Sequence, residues 1–374
     1  MASSEILRQL VDPWYQSLKD PAGAQEGALK SLLEGYAKTS YGKERSATSI
    51  QNLEEYRRSF PVVKYSDLQG EIEEVKRGEY LSLLPEPVRN WAMTRGTTGV
   101  AKLFPATETH LSQVLAVGAR ALVNFVVRTD DERLLDGGVL NLNFPSVVSS
   151  FQGPQGEESY GYSSGTYARL NPSLGRTALV PRQEEIDSLG SGIAKKDWER
   201  RFDLVYEQAR SADVVCTMGV TPVILSFARY LRRRKGTTPR EIWKFKALFC
   251  TSVAKIQTRY APALRSLYGG VSVVEMYTAT EGIFAQQLDE LPYVSPNYDV
   301  YLFEVETRGG TKSLHEMKPR EWGRLIVSTP VFPRYDIGDF VEALGRGYFR
   351  VIGRAKLTTA AEHVLYNLST FRKP

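Results

Sequence analysis

Cysteine and histidine are scarce in this sequence, and their scarcity argues against several kinds of catalytic site. The 374 residues include two cysteines and three histidines. Cys216 and Cys250 have no partner at CxxC spacing, and no two histidines stand three or four residues apart, so zinc hydrolases and disulfide redox enzymes are poor fits. Each cysteine ends an apolar run, which predicts buried strand residues in a reducing compartment. A catalytic Cys–His pair is the alternative.

Long apolar runs are also missing. The N-terminal residues show neither the basic nor the apolar region of a secretory signal. No segment approaches the roughly 20 apolar residues that a membrane helix needs. The longest candidate, 114–127, is interrupted by Arg120 and is predicted to be a core helix. We therefore expect a cytoplasmic protein that does not act in a membrane.

The charge balance has only a small excess of one sign. Forty-eight basic and 43 acidic residues give a net charge of +5, which is too dilute to indicate a nucleic-acid partner. A mildly electropositive cleft for an anionic ligand fits equally well. The single basic run, 232–235, ends a predicted helix, where cations complement the helix dipole. A docking patch for coenzyme A or a carrier protein is the alternative for this run.

Apolar strand-like runs alternate with helical patterns through the middle of the chain. This alternation predicts an α/β fold with a mostly parallel sheet covered by helices. The predicted strands are 139–142, 213–216, 246–250 and 271–276, and the predicted helices between them are 196–210, 222–234 and 254–267. From residue 296 the pattern changes to short strands punctuated by Gly and Pro, which predicts a smaller antiparallel β unit over 296–352.

Four short segments are candidates for chemistry. In the first, 94–102, two glycines and several hydroxyls would let the backbone curl around phosphate oxygens, and Lys102 adds a charge. It lacks the spacing of a Walker A loop, and an ordinary turn is the alternative. The second, 277–282, follows a predicted strand, where its tyrosine, threonine and glutamate could contact a base, a phosphate and Mg²⁺. Its alternative is a helix N-cap.

The third and fourth segments are 334–339 and 353–356. Asp339, beside a glycine, could accept hydrogen bonds from the two hydroxyls of a ribose, as carboxylates do in other nucleotide sites. A β-turn between edge strands is the alternative, because Asp and Gly are common in turns. The fourth segment, GRAK, supplies two further cations.

The order of these segments, a Thr/Gly/Lys loop followed by YxxTE, YxxGD and GRxK, resembles that of the adenylate-forming acyl-activating superfamily. Within it, the sequence is most similar to the Gretchen Hagen (GH3) family of plant acyl acid–amido synthetases and their microbial relatives. The stretches 60–65, 77–79 and 296–298 also look like segments of that family. The resemblance covers about residues 28–356.

The resemblance implies a fold and an activity. Residues 1–352 would form the large adenylation domain, with 296–352 as its β-rich subdomain. Residues 353–374 would form the hinge and the start of a C-terminal domain that is missing or vestigial. ATP and a carboxylic acid would give an acyl-adenylate and pyrophosphate, and the acyl group would then pass to an amine such as an amino acid.

The resemblance also assigns residues to ATP and Mg²⁺. Lys102, Glu281 and Arg354 would be catalytic, and Glu281 would bind Mg²⁺. Ser252 and Val253 would form the adenine wall, Tyr277 and Thr280 would contact the adenosine and the α-phosphate, and Asp339 would bind the ribose. The residues that would surround the phosphates with Lys102 are Thr94, Gly96, Thr97, Thr98 and Gly99.

The acyl pocket is harder to place from the sequence. Its walls are predicted in 144–167 and 215–225. The aromatic residues there, with Phe151 and Tyr162 as the predicted substrate contacts, favour an aromatic or an elongated apolar acid. They could equally be core residues.

Two departures from the family pattern leave alternatives open. Arg95 stands where the family usually has a small hydroxyl residue, and it could clamp pyrophosphate or crowd ATP. The segment after Gly353-Arg354 lacks the family's glycine-bearing hinge continuation. The alternatives are acyl transfer to coenzyme A, a carrier protein or a protein thiol, and a non-catalytic homologue that binds nucleotide. The acid, the acceptor and the oligomeric state are not determined by the sequence.

Overall fold

The computed structural model describes residues 2–94, 101–171, 173–174 and 177–370. The α-helices in these ranges are α1 Ala2–Lys19, α2 Pro21–Tyr36, α3 Ser40–Glu44, α4 Leu53–Ser59, α5 Gln69–Lys76, α6 Glu108–Thr129, α7 Ser163–Leu170, α8 Gln183–Asp187, α9 Lys195–Ala209, α10 Thr221–Arg234, α11 Pro239–Ile242, α12 Ala261–Tyr268 and α13 Leu357–Thr370. The strands are β1 Val88–Met93, β2 Leu103–Thr107, β3 Gly138–Leu140, β4 Ser149–Gly153, β5 Gly156–Tyr162, β6 Ser173–Leu174, β7 Thr177–Val180, β8 Val214–Val220, β9 Ala247–Thr251, β10 Ser272–Ala279, β11 Gly282–Gln286, β12 Ser295–Pro296, β13 Leu302–Thr307, β14 Gly310–Ser313, β15 Trp322–Ser328, β16 Tyr335–Gly345 and β17 Tyr348–Arg354.

The largest sheet has eight strands in the order β12-β11-β10-β9-β8-β3-β7-β6. Its middle five strands, from β10 to β7, pair in parallel, and the outer strands pair antiparallel. All five residues of β9 are buried. A parallel strand covered on both faces needs such a continuous apolar run, which is why these strands were visible in the sequence. The predicted mostly parallel α/β sheet is confirmed.

Helix α6 covers one face of this sheet and packs against Cys216, Phe249 and Met276. By length and composition it could cross a membrane, but 67% of its apolar window is buried inside the protein. The charge in the middle of the helix is neutralised internally, because Arg120 forms a bidentate ion pair with Asp299 at 2.7 and 2.9 Å. These contacts are those of a core helix.

The predicted antiparallel unit is present as a five-stranded sheet in the order β14-β13-β15-β16-β17. It shares one hydrophobic core with the N-terminal helices. Tyr36 Oη donates to the Thr329 carbonyl at 2.6 Å, and Gln25 bonds to the backbone of Tyr298, Tyr301 and Phe303. The N-terminal helices and the antiparallel sheet therefore hold each other in place.

A third sheet, in the order β2-β1-β5-β4, carries the segment that was predicted to bind phosphate between β1 and β2. The predicted hinge starts where β17 ends and continues into α13. The division into an adenylation domain, 1–352, and a hinge segment stays a prediction.

Candidate active site

A cavity of about 820 Å³ opens at the carboxyl ends of the parallel strands. Val220, Thr251 and Ala279, the last residues of β8, β9 and β10, all line it. Parallel α/β sheets place their ligands at this edge, because the strands end there and the loops that follow them converge. Its size lies within the range of about 300–1,000 Å³ that is usual for small-molecule sites.

Thr94 and Lys102 lie at the rim of the cavity and hold together the two ends of the first candidate segment. Thr94 N donates to the Lys102 carbonyl at 2.9 Å, and Lys102 N donates to Thr94 Oγ1 at 3.0 Å. This pairing continues the antiparallel ladder of β1 and β2. The other residues predicted to bind phosphate, Gly96, Thr97, Thr98 and Gly99, lie with Arg95 outside the described residues.

Lys102 is linked to Glu281 through a tyrosine. Lys102 Nζ donates to Tyr335 Oη at 3.3 Å and lies 5.4 Å from the centre of the Tyr65 ring. The Tyr335 hydroxyl in turn bonds to the Glu281 carboxylate. Burial raises the pKa of Glu281, and the charge of Lys102 and the bond from Tyr335 oppose that rise. Tyr335 thus links an ammonium group and a carboxylate that both line the cavity.

Tyr335 was not among the predicted site residues. It is the tyrosine of the YxxGD motif, so the sequence pointed to this residue but did not indicate its role. Arg334, the residue before this motif, has a structural role. It is buried, donates to Glu304 at 2.9 Å and donates to the Phe60 carbonyl at 2.7 Å.

Asp339 lies between Tyr277 and Arg354. Tyr277 Oη donates to Asp339 Oδ2 at 2.9 Å, and Arg354 Nη1 donates to Asp339 Oδ1 at 3.1 Å. Burial raises the pKa of Asp339, while Arg354 and Tyr277 favour its ionised form. Asp339 is within the long strand β16 and not in a β-turn, so the alternative for this segment does not apply.

The YxxTE segment forms the hairpin between β10 and β11, where Ala279 pairs with Gly282. The helix N-cap considered for it is therefore incorrect. A Cβ on Gly282 would lie 2.9–3.0 Å from Phe284 and Tyr301, so the tight turn has room only for glycine. This turn exposes Thr280 and Glu281 to the cavity.

Thr280 is fixed by two neighbours. Tyr167 Oη donates to its carbonyl at 2.8 Å, and its hydroxyl lies 3.4 Å from Ser163 Oγ. His110 Nε2 is 3.4 Å from the same Tyr167 hydroxyl, and burial lowers the pKa of His110 to about 3. The imidazole is therefore neutral at physiological pH and serves as part of this support.

Ser252 and Val253 follow β9 and line the cavity, as predicted for the adenine wall. Ser252 has φ +75°, a conformation uncommon for a residue with a side chain. The strand end before it is held from both sides. Thr221 Oγ1 donates to the Thr251 carbonyl at 2.8 Å, and the hydroxyls of Thr251 and Thr278 are hydrogen-bonded. Such locally strained positions are common at ligand sites.

The two predicted substrate contacts lie in different places. Tyr162 lines the cavity with its ring centre 5.1 Å from that of Phe144. Phe151 does not line it, and its assignment to the acyl pocket is corrected. It packs edge-on against Trp91 at 5.3 Å, with the Lys76 ammonium 5.2 Å from its ring centre. Phe151 lies on β4, the outer strand of its sheet, which the sequence could not place.

One wall of the cavity was not foreseen. It is the face of α6 formed by Val114, Leu115, Gly118, Ala119 and Leu122. The sequence predicted the helix, but periodicity alone does not say whether an apolar face contacts core or lines a pocket.

Neither cysteine is reactive. Both are buried, and burial raises the pKa of each thiol to about 12. The thiolate, which is the nucleophilic form, is negligible near neutral pH. Both cysteines lie on buried strands, as predicted, and a catalytic Cys–His pair is disfavoured.

The basic run 232–235 is partly neutralised by acidic residues of α9. Lys235 pairs with Asp203 at 2.8 Å, and Arg234 lies 3.7 Å from Glu199. This is the arrangement expected of a solvated helix end. A role in docking a phosphate-bearing acceptor stays a prediction.

Comparison with known proteins gives a family match for part of the chain. Residues 13–192 match the family model described as the GH3 family N-terminal domain. This part of the chain is similar to GH3 proteins. The adenylate-forming assignment predicted from the motif order is thereby supported, although the matched region ends before Glu281, Asp339 and Arg354. A comparison with curated proteins gives no match.

The chain also resembles solved structures along most of its length. One is the AtGH3.15 acyl acid amido synthetase in complex with 2,4-DB, with 15% identity and a TM-score of 0.74 over 94% of this chain and 71% of that one. Another is 2-hydroxyisobutyryl-CoA ligase in the postadenylation state with 2-HIB-AMP, with 16% identity and a TM-score of 0.63 over 88% of this chain and 67% of that one. At such identities the likeness establishes the fold.

Among the described residues that line the cavity, Glu281 is the carboxylate predicted to bind magnesium. The described residues contain no group of three or more His, Cys, Asp or Glu side chains that could hold a metal ion. Glu281 is a buried carboxylate that faces the cavity. Mg²⁺ is commonly held by one or two carboxylates, with substrate phosphates and water completing its shell, so a lone Glu281 fits this ion.

Proposed function

We propose that this chain is a ligase that uses ATP to activate a carboxylic acid as an acyl-adenylate, releases pyrophosphate, and then transfers the acyl group to an amine. The observation that carries the proposal is the pairing of two clusters on one cavity. Lys102–Tyr335–Glu281 suits phosphates and a divalent cation, and Tyr277–Asp339–Arg354 suits a nucleoside. The matched GH3 domain and the fold shared with adenylate-forming ligases support it.

The nucleoside would bind against Asp339. Its carboxylate keeps lone pairs beyond those used by Tyr277 and Arg354, and these can accept from the two ribose hydroxyls. The Tyr277 ring, Ser252 and Val253 border the adjoining space, where an adenine ring would lie. Because Arg354 already neutralises Asp339, binding the ribose adds no uncompensated charge.

The first half-reaction forms a bond between a carboxylate oxygen of the acid and the α-phosphorus of ATP, and breaks the bond from that phosphorus to the oxygen bridging to the β-phosphorus. The electron pair leaves with pyrophosphate. A carboxylate is nucleophilic when ionised, so no general base is required. Positioning and charge neutralisation dominate such a step. Lys102 and Arg354 would supply positive charge, and Thr280 would bind the α-phosphate from its rigid turn.

Mg²⁺, when bound, would neutralise charge on the departing pyrophosphate. Glu281 would hold it at the rim, and Lys102 would bind the phosphates from the same side. The hydrogen bond from Tyr335 keeps the Glu281 carboxylate oriented toward this position.

The second half-reaction would pass the acyl group to an amino acid. The fold shared with an acyl acid amido synthetase supports an amine acceptor. The fold shared with a CoA ligase supports a thiol acceptor as the second candidate. A cytoplasmic location is proposed on the two free cysteines, which suit a reducing compartment.

The experiment that tests the proposal is ATP–pyrophosphate exchange with a panel of carboxylic acids, with and without Mg²⁺. Exchange that depends on both an acid and Mg²⁺ is expected. ATP binding without exchange for any acid would favour the non-catalytic homologue. Product analysis with amino acids, coenzyme A and a carrier protein then separates the acceptors.

A further inference from the structure

The cavity extends from the nucleotide clusters into the space between α6 and the eight-stranded sheet. On the helix side, four lining residues follow the spacing i, i+3, i+4 and i+7 of a single helix face: Leu115, Gly118, Ala119 and Leu122. Val114 lines the cavity beside them. At a rise of 1.5 Å per residue, the stretch 115–122 extends over about 10 Å of helix. This wall is therefore elongated, and two of its five lining residues, Gly118 and Ala119, have side chains no larger than a methyl group.

The sheet side of the same space crosses several strands. Register places Leu179 beside Val139, Val139 beside Cys216, and Ile283 beside Thr278, so these residues share one face. The apolar residues of this face that line the cavity are Ile283, Met276, Met218, Cys216, Val139 and Leu179. From β11 to β7 there are five interstrand spacings, or about 24 Å at roughly 4.8 Å each. A single aromatic ring would fill only a small part of this distance.

The helix–sheet space is mostly apolar. Its two walls carry aliphatic side chains, thioethers, the Thr278 hydroxyl and the Cys216 thiol, which is protonated at neutral pH because burial raises its pKa to about 12. None of the charged lining residues within the described ranges belongs to α6 or to the sheet positions named above; they are Lys102, Lys255, Arg259, Glu275, Glu281, Asp339 and Arg354. Glu275 stands on the same strand as Met276, but neighbouring strand residues point to opposite faces. The space beneath α6 therefore favours hydrocarbon and offers no partner for an ionic group.

Gly118 lies where this space meets the YxxTE turn. A Cβ at Gly118 would lie 3.1 Å from Ile283 Cδ1, so the helix approaches β11 closely at this point. Ile283 is two residues from Glu281, which places the apolar space next to the position proposed for the reacting carboxylate. An acid with its carboxylate near Thr280 would direct its hydrocarbon under α6.

We propose that the acid is an elongated, unbranched aliphatic acid whose chain runs beneath α6 from β11 toward β7. This inference rests on the proposed function, because it names the substrate of the same site. It favours a fatty acid over the aryl and indolyl acids that the sequence left equally open. The features that select it are the length of the space, its aliphatic walls and the small residues of α6.

The test on the unmodified protein uses linear saturated acids that differ by two carbons, from butanoate to hexadecanoate, beside phenylacetate and indole-3-acetate. In ATP–pyrophosphate exchange, kcat/KM is expected to rise by up to about fourfold per added CH2 until the space is filled, which is the transfer value of a buried CH2. Binding of dodecanoate and of indole-3-acetate is measured separately by isothermal titration calorimetry without ATP.

A matched pair of variants tests the location. Ala119 lines the cavity, whereas Ala116, one turn earlier on the same helix, is exposed. Ala119→Leu should shorten the preferred chain by several carbons and weaken dodecanoate binding at least tenfold, with butanoate little affected. Ala116→Leu makes the same change at a solvent-facing position of the helix and should leave the chain-length profile unchanged.

The possible results separate the two proposals. Tight dodecanoate binding that Ala119→Leu weakens supports the elongated aliphatic acid even if exchange is absent, in which case the adenylation proposal alone fails. A flat chain-length profile, tighter binding of indole-3-acetate, or equal effects of the two alanine substitutions would overturn the inference. Exchange that is confined to aryl acids would overturn the inference and keep the proposed function.

Discussion

Asp339 and Arg354 face each other across the last two strands of the antiparallel sheet, and their side chains meet at 3.1 Å. They belong to two motifs that are 15 residues apart in the chain, and the pairing of β16 with β17 is what joins them. Tyr277, from the large parallel sheet, completes the cluster through its 2.9 Å hydrogen bond. The nucleoside end of the cavity is thus built where two sheets meet, so its geometry depends on their packing.

Replacing Asp339 should remove nucleotide binding while the fold remains. In Asp339→Ala, Arg354 loses its anionic partner and the ribose hydroxyls lose their acceptor, so we expect the Kd for ATP to rise at least tenfold, equivalent to about 1.4 kcal/mol. Adenylation should fall below detection. Titration calorimetry with a non-hydrolysable ATP analogue measures the change. Tyr277→Phe is the control, because it keeps the ring and removes only one hydrogen bond, and its effect should be smaller.

Glu281 should be essential for adenylation but not for stability. Glu281→Gln keeps the size of the side chain and removes the buried negative charge, which the raised pKa of Glu281 shows to be disfavoured there. We expect exchange to drop about 100-fold or more, the scale seen when a charge-stabilising group is removed from an active site, with an unchanged or higher Tm. The matched control is Glu290→Gln, an exposed glutamate paired with Arg128. Full activity of Glu281→Gln at saturating Mg²⁺ would contradict the proposed role.

Tyr335→Phe tests the residue that the sequence did not single out. The ring should stay packed against Phe332, with which it is 5.0 Å centre to centre, so the fold should be retained. The loss of the hydroxyl separates Lys102 from Glu281. We expect a fall in kcat of roughly tenfold and a higher Mg²⁺ concentration for half-maximal exchange. An unchanged Mg²⁺ dependence would show that the hydroxyl does not orient the carboxylate.

Glu275 should make the protein less stable as the pH rises. Burial raises the pKa of Glu275 from an ordinary 4.5 to about 7. Between pH 4.5 and 7, the folded protein therefore keeps a proton on Glu275 that the unfolded chain has released. The contribution of this protonated carboxyl to the free energy of unfolding is complete below pH 4.5 and is lost as the pH rises through 7. At roughly 1.4 kcal/mol per pKa unit, the loss by pH 8 is about 3 kcal/mol at most.

Glu275→Gln should remove this pH dependence. Its Tm should match that of the unmodified protein at pH 5 and exceed it by a few degrees at pH 8, as measured by calorimetry in the absence of ligands. Glu290→Gln serves again as the exposed control and should show no such divergence. Equal Tm values at pH 8 for the Glu275 variant and the unmodified protein would mean that the carboxyl is hydrated within the cavity.

The sequence by itself determined the class of fold and supplied most of the candidate site residues. Continuous apolar runs such as 247–251, alternating with helical patterns, favour strands covered on both faces, and this made the parallel sheet predictable. The motif order made candidates of Lys102, Glu281, Asp339 and Arg354. Each of them stands in one of four short motifs, and the order of those motifs along the chain is recognisable. All four line one cavity.

Only the tertiary structure decided how these residues are arranged and what else joins them. A tight turn and a helix N-cap use the same residue types, so the hairpin at Thr280 and Glu281 could not be distinguished in advance. Phe151 and Tyr162 are similar apolar aromatics in adjacent strands, yet one packs against Trp91 and the other lines the cavity. Whether an apolar side chain faces core or pocket depends on contacts between distant elements, such as α6 against β11. Those long-range contacts, which local pattern does not encode, shaped the space proposed for the acid.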